Sequence, residues 1–373
     1  MEFLTYLSES DGRPGRKPYL DGLRGWASLM VMGCHVVRPS LPRAPYGPML
    51  NGPLSVAVFF AVSGFSLMCV GWKDGARVCR SAVARVPRLA IPVTAHCLVD
   101  VALFPSRWAA DLAAPLVLFF PATGLWQHQP PRDLAAVGDV SLRHWSQLWT
   151  MSIELNASMA IFMWLLVKPH VHARAWWYAP AYCLAYACNP SYSYFVLGAG
   201  LQDLFAARAP EANGIVAVAF LFVAAGICFL PSVNHWITNA LQSLSVASCF
   251  AALAWSPRFQ ALLSGKLSTF LGRVSFSLYL CHVYVLRATM RVMTPGTDAM
   301  GEAWGFENKP SPGPLSAGTA AIAAAAALAW ATVMTAVDRW AIRVSRQAAA
   351  WVVSEEAKEG AQSETTHPLL SVI

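Results

Sequence analysis

Charge is what this sequence has least of. Only 13% of its 373 residues are Asp, Glu, Lys or Arg, against 56% that are apolar. Soluble domains carry roughly a quarter charged residues, so one soluble core has no place for this much apolar surface. The same figures exclude a disordered chain. Nine cysteines in so long a chain are too sparse for a disulfide framework, and no C-x-x-C spacing occurs. They read as small buried hydrophobes, and no metal or redox site is expected. The segment Met1–Lys17 lacks an apolar core, so no signal peptide is expected and the first span must direct its own insertion. There is no internal repeat. An integral membrane protein remains.

What is present agrees. Residues 44–72, 175–202, 212–257 and 310–337 contain no charged side chain, and the third of these runs for 46 residues. A bilayer core takes about 20 apolar residues per helix, so that run must cross twice. Its turn falls at Pro231-Ser-Val-Asn234. The blocks are apolar all round, whereas barrel strands alternate, which leaves helices. Ten spans are expected, alternating across the membrane, near 23–37, 54–72, 89–105, 112–126, 148–167, 175–200, 214–230, 237–255, 268–290 and 315–338. The fourth is interrupted by Pro115, Pro121 and Gly124, which suits a re-entrant segment as well as a span.

The expected fold is thus an all-α polytopic membrane helix bundle of about ten transmembrane helices. With both termini cytosolic, 19 of the 27 basic residues fall on the inner side, including the Lys73–Arg88 cluster. This placement also accounts for the net charge of +7 without nucleic-acid binding. Residues 1–18 are expected to form a cytosolic N-terminal segment, 19–346 the membrane domain, and 347–373 a cytosolic, disordered polar tail. Ala- and Gly-rich helix faces, above all 317–331, suit close helix packing and a homodimer. Nothing in the sequence selects between an endomembrane and the plasma membrane.

Ionisable side chains inside spans are costly and therefore default to function. Arg24 and His35 lie eleven residues apart, about 16 Å and three turns along one helix face. Either they form a fixed cation and an acid–base imidazole, or Arg24 reaches lipid phosphates while His35 bonds a neighbouring helix. Glu154 is a lone carboxylate that either orients and charge-balances an imidazole or pairs with Arg24 or Asn156. His282 follows Ser275 and Tyr279 on a polar stripe of an apolar helix. His96 and Asp100 have the spacing of a local ion pair. Arg85 and Arg88 open the third span and suit phosphate binding as well as contact with anionic lipids. On residues alone, a proton-coupled transporter using Arg24, Asp100, Glu154 and His282 is the competing expectation to an enzyme.

Four segments, in order, resemble the membrane acyltransferase 3 family. Tyr19–His35 is similar to its first-helix signature, an arginine and a histidine separated by ten residues. Phe59-Phe-Ala-Val-Ser63-Gly-Phe65, Leu148-Trp-Thr-Met-Ser-Ile-Glu154 and Leu271-Gly-Arg-Val-Ser-Phe-Ser-Leu-Tyr279-Leu-Cys-His282 resemble its later spans. Phe195-Val-Leu-Gly is similar to a weaker element. Phe276 stands where the family usually has Tyr, and the Gly52–Phe60 wording looks more like fungal members. The resemblance covers roughly 19–346.

It implies transfer of an acyl group, often acetyl, from acyl-CoA to a hydroxyl of a sugar, lipid or small metabolite. Acyl-CoA, a hydroxyl-bearing acceptor and the bilayer are then the partners. Arg24, Arg85 and Arg88 would meet the donor's phosphates. His35 would deprotonate the acceptor or carry the acyl group, with Glu154 balancing its charge. Ser63, Tyr279 and His282 would line the cavity.

Overall fold

A computed structural model describes residues 17–37, 51–71, 74–104, 148–172, 174–207, 211–230, 234–293 and 317–366. Among these the secondary structure is helical, with no strand. The helices are α1 (Pro18–Val37), α2 (Gly52–Met68), α3 (Gly75–Leu103), α4 (Trp149–Val167), α5 (Tyr178–Cys188), α6 (Pro190–Ala207), α7 (Gly214–Ile227), α8 (His235–Trp255), α9 (Pro257–Leu263), α10 (Lys266–Met293) and α11 (Ala317–Thr366). Five of them, α3, α4, α8, α10 and α11, are long and apolar enough to cross a membrane; α2 and α7 are shorter apolar helices. The expected span at 112–126 lies outside the described residues.

Helix starts follow the local chemistry. The side chains of Asn51, Asp74, Asn213 and Asn234 each accept a backbone N–H from the first turn, which satisfies donors that would otherwise be orphaned. The expected single span at 175–200 is two helices. Asn189 precedes Pro190, whose ring disfavours helical backbone at the residue before it. Asn189 Oδ1 instead accepts from Ser191 N at 2.9 Å and starts a new helix. The pair α5–α6 folds back on itself, so that Tyr178 at one start meets Gly200 and Asp203 near the other end.

A second difference concerns direction. The expected alternation makes the spans at 89–105 and 148–167 parallel. In the structure Arg85 meets Glu154 and Ser158, while Gly75 lies beside Leu166. The two helices therefore run antiparallel, and the chain enters α4 at the end of the bundle where it leaves α3. A third is that α11 continues as helix to Thr366, past Ser354 where the composition predicts disorder. Extending an existing helix avoids the nucleation cost, and Ala, Glu, Lys and Gln are good helix formers. All nine cysteines are free; Cys34, Cys97 and Cys281 are buried as expected, but Cys79 and Cys183 are exposed.

Two close helix crossings set the core. Where α1 meets α9 and α10, a side chain at Gly22, Gly25 or Gly272 would collide with backbone of Leu263, Leu271 or Asp21 respectively. At α2–α6, a side chain at Gly64 or Gly198 would fall on the carbonyls of Phe195 or Ala61. Small residues are what let helix backbones approach in lipid, where packing and not water drives association. Parallel α1 and α10 bring His35 beside His282, and antiparallel α10 and α11 bring Ser277 to Asp338.

Candidate active site

The described residues line a partly open cavity of about 470 Å³ between α1, α2, α3, α4, α10 and α11. Seven basic residues line it (Lys17, Arg24, Arg77, Arg85, Arg88, Arg273 and Arg339) against three acidic ones (Asp21, Glu154 and Asp338). The wall thus carries an excess of four positive charges. Ser63, Phe59, Phe276 and Tyr279 supply its apolar and hydroxyl-bearing surface.

The sequence-derived donor set converges here. Arg24 comes from α1, and Arg85 and Arg88 from α3, one on each side of Pro87. Arg24 Nε is buried and has no hydrogen-bond partner. A guanidinium N–H left unmet in a cavity wall is a donor available to a ligand. Arg24 also lies within electrostatic reach of both Arg85 and Asp338.

Glu154 is placed otherwise than the resemblance implies. Its carboxylate accepts from Arg85, whose Nε donates to Ser158 Oγ at 3.0 Å. The Ser158 hydroxyl in turn donates to the Glu154 carbonyl at 2.5 Å. Glu154 therefore anchors a cavity arginine, with the two side chains only 10% and 13% exposed, and it is not the partner of His35.

His35 and His282 are not among the cavity-lining residues. Their rings pack on each other, with centroids 5.1 Å apart and planes tilted by 30°. The link to the cavity is Tyr279, whose ring is 5.9 Å from that of His282 and forms part of the wall. Thr150 Oγ1 donates to the Tyr279 hydroxyl at 3.1 Å, and Phe59 packs edge-on against the ring. Ser63 and Tyr279 thus line the cavity as expected, and His282 sits one ring behind it.

The expected local pair His96–Asp100 is not formed. His96 Nδ1 lies 2.7 Å from the Tyr284 hydroxyl, which also accepts from Trp330 Nε1 at 2.6 Å. Asp100 pairs with Arg287 at 3.7 Å. These partners come from α10 and α11, and i,i+4 spacing carries no information about them.

Sequence reasoning missed three cavity groups on α10 and α11: Arg273, Asp338 and Arg339. Asp338 accepts from Ser277 Oγ at 2.7 Å. One signal was available, because Asp338 and Arg339 end the charge-free run 310–337 and extend the same helix.

A cationic pocket inside an apolar helix bundle, with the His282 imidazole one ring behind its wall and His35 packed on His282, suits transfer of a group from an anionic carrier. The sequence model of the acyltransferase 3 family, described as an acyltransferase domain, matches residues 17–334. The chain belongs to that family. It is an acyltransferase. It is similar to the O-acetyltransferase PaAT-1 of Phomopsis amygdali, at 24% identity in an alignment that covers 71% of each chain. No solved structure matches it.

Proposed function

We propose that this acyltransferase 3 member is a membrane O-acetyltransferase, taking acetyl from acetyl-CoA in the cationic cavity and delivering it to an acceptor hydroxyl beside His35. The observation that carries the reading is the excess of four positive charges in the cavity wall. Like charges gathered in one pocket repel each other unless an anion compensates them. The 3′-phosphate and diphosphate of CoA together bring about four negative charges. Arginine heads suit them because they donate several bonds in one plane. The O-acetyl specificity is taken from the similarity to PaAT-1.

Arg24, Arg85 and Arg88 bind the phosphates, and the pantetheine arm runs along α1 for the roughly 16 Å that separates Arg24 from His35. The thioester then lies at Tyr279. His35 takes the acceptor hydroxyl proton while the oxygen forms a bond to the thioester carbonyl carbon. The C–S bond breaks, and the thiolate accepts a proton to leave as free CoA. The acceptor is a hydroxyl of a sugar, lipid or small metabolite.

The same reading gives a ten-span topology with both termini on the basic, cytosolic side. With α3 and α4 antiparallel, that count is kept when α5 and α6 cross separately. Lys168 and Arg174 then lie on the inner side.

The test uses detergent-solubilised full-length protein, acetyl-CoA and a small-molecule extract of the host cell, with acetylated products found by their mass increment. The expected results are product with the wild type, none with His35→Ala, and a KM for acetyl-CoA raised roughly tenfold or more in Arg24→Ala, the loss of a charge-assisted bond. Full activity of His35→Ala refutes the mechanism, and an unchanged KM in Arg24→Ala refutes the donor site.

A further inference from the structure

We infer that His282 is a positioning residue that holds His35 and shares the proton it takes from the acceptor; the inference rests on the acyl-transfer reading above. His282 is buried on α10, with 2% of its surface exposed. Its Nδ1 lies 2.8 Å from the Tyr279 carbonyl oxygen and 3.2 Å from that of Leu278. Carbonyl oxygens only accept, so Nδ1 carries the proton and the tautomer is set by the helix's own backbone. In the neutral ring Nε2 is then a bare lone pair.

That lone pair is buried and has no hydrogen-bond partner. Leaving a buried acceptor unmet is costly, and natural interiors do so rarely. Of the rings packed on His282 among the described residues, His35 is closer than Tyr279, at 5.1 Å between centroids against 5.9 Å. The arrangement suits a step in which His35 becomes positively charged. When the acceptor O–H bond breaks and its proton moves to His35, the bare Nε2 of His282 accepts a hydrogen bond from the new imidazolium. The proton returns through His35 to the departing thiolate, so His282 ends the cycle as it began. Glu154, the carboxylate that the family resemblance suggests for this task, is engaged by Arg85 instead. The Tyr279 carbonyl that orients His282 belongs to the residue whose ring forms the cavity wall, which ties the imidazole pair to the place of the thioester.

The experiment compares His282→Phe, which keeps a ring but no acceptor, with His282→Gln, whose Oε1 stands near the position of Nε2. Both are made in the full-length protein and assayed with acetyl-CoA and the same extract. His282→Phe is expected to lose about 100-fold in kcat, within the range of a lost acid–base contribution, with KM for acetyl-CoA within about twofold of the wild type. His282→Gln is expected to recover at least about tenfold of that loss. Equal activity of the Phe and Gln variants, or wild-type kcat in His282→Phe, overturns the inference while leaving acyl transfer intact. Should His282→Phe fail to accumulate, His282→Asn takes its place, since its shorter amide cannot present an acceptor at Nε2; Gln must then exceed Asn by about tenfold, and equality overturns the inference. A wild-type protein that forms no acetylated product refutes the acyl-transfer reading itself, and this inference with it.

Discussion

The placement of Glu154 is open to a decisive measurement. Glu154→Gln keeps the side-chain volume but removes the charge that faces Arg85. Both side chains are at least 87% withdrawn from solvent, so the pair is close to the buried limit. Removing one member of a buried ion pair costs about 3–5 kcal/mol, because the other charge is left uncompensated. The loss should fall toward the lower figure, about 3 kcal/mol, since the Gln Oε1 still accepts from Arg85 and Ser158 Oγ remains bonded to Arg85 Nε. The cavity's positive excess also rises from four to five, since one of its three carboxylates is gone. The assay is thermal or denaturant unfolding of the detergent-solubilised protein, followed by tryptophan fluorescence without acetyl-CoA. Two double-mutant cycles identify the partner. Glu154→Gln combined with Arg85→Met should show a coupling of about 2 kcal/mol or more, whereas Glu154→Gln combined with His35→Gln should be additive within about 0.5 kcal/mol. Coupling to His35 and additivity with Arg85 would refute the geometry on which the site rests.

Two further expectations concern the frame around the cavity. Gly198→Leu at the α2–α6 crossing must push the side chain onto the Ala61 carbonyl, and a loss of about 1–3 kcal/mol is expected from overpacking; Gly226→Ala, whose added carbon meets open space, should be within about 0.5 kcal/mol of the wild type in the same unfolding assay. Asp203 accepts from Lys168 Nζ and from the Tyr178 hydroxyl, each at 2.5 Å, and so joins α4, α5 and α6. Asp203→Asn should cost about 3 kcal/mol by leaving the buried Lys168 ammonium unpaired, and adding Lys168→Met should restore much of the loss. No recovery in the double variant would show that the ion pair is not the source.

Particular residues show how far one-dimensional reasoning reaches. Arg24, Arg85, Arg88, Ser63, Glu154 and Tyr279 were named from their cost in lipid or their motif, and all six line one cavity. Their partners were assigned less well. Glu154 was matched to His35 and is held by Arg85; His96 was matched to Asp100 and meets Tyr284. In both cases the true partner lies on another helix, and spacing along one helix says nothing of the rotation of its neighbours. The Asn189 break was readable in principle, because the residue before a proline resists helical backbone, but the charge-free run from 175 to 202 masked it.

The sequence by itself determined that the chain is helical and built from long apolar helices, and it named six side chains that line one cavity. Both follow from composition and local energetics: too few charges for water, and ionisable groups too costly in lipid to be incidental. Only the tertiary structure decided that α3 and α4 run antiparallel, that the Arg85–Glu154 pair belongs to the cavity, and that His35 rests on His282 behind Tyr279. Those outcomes depend on how closely helices approach. That distance is set where Gly22, Gly25, Gly64, Gly198 and Gly272 allow one backbone to touch another, and it brings together residues far apart along the chain.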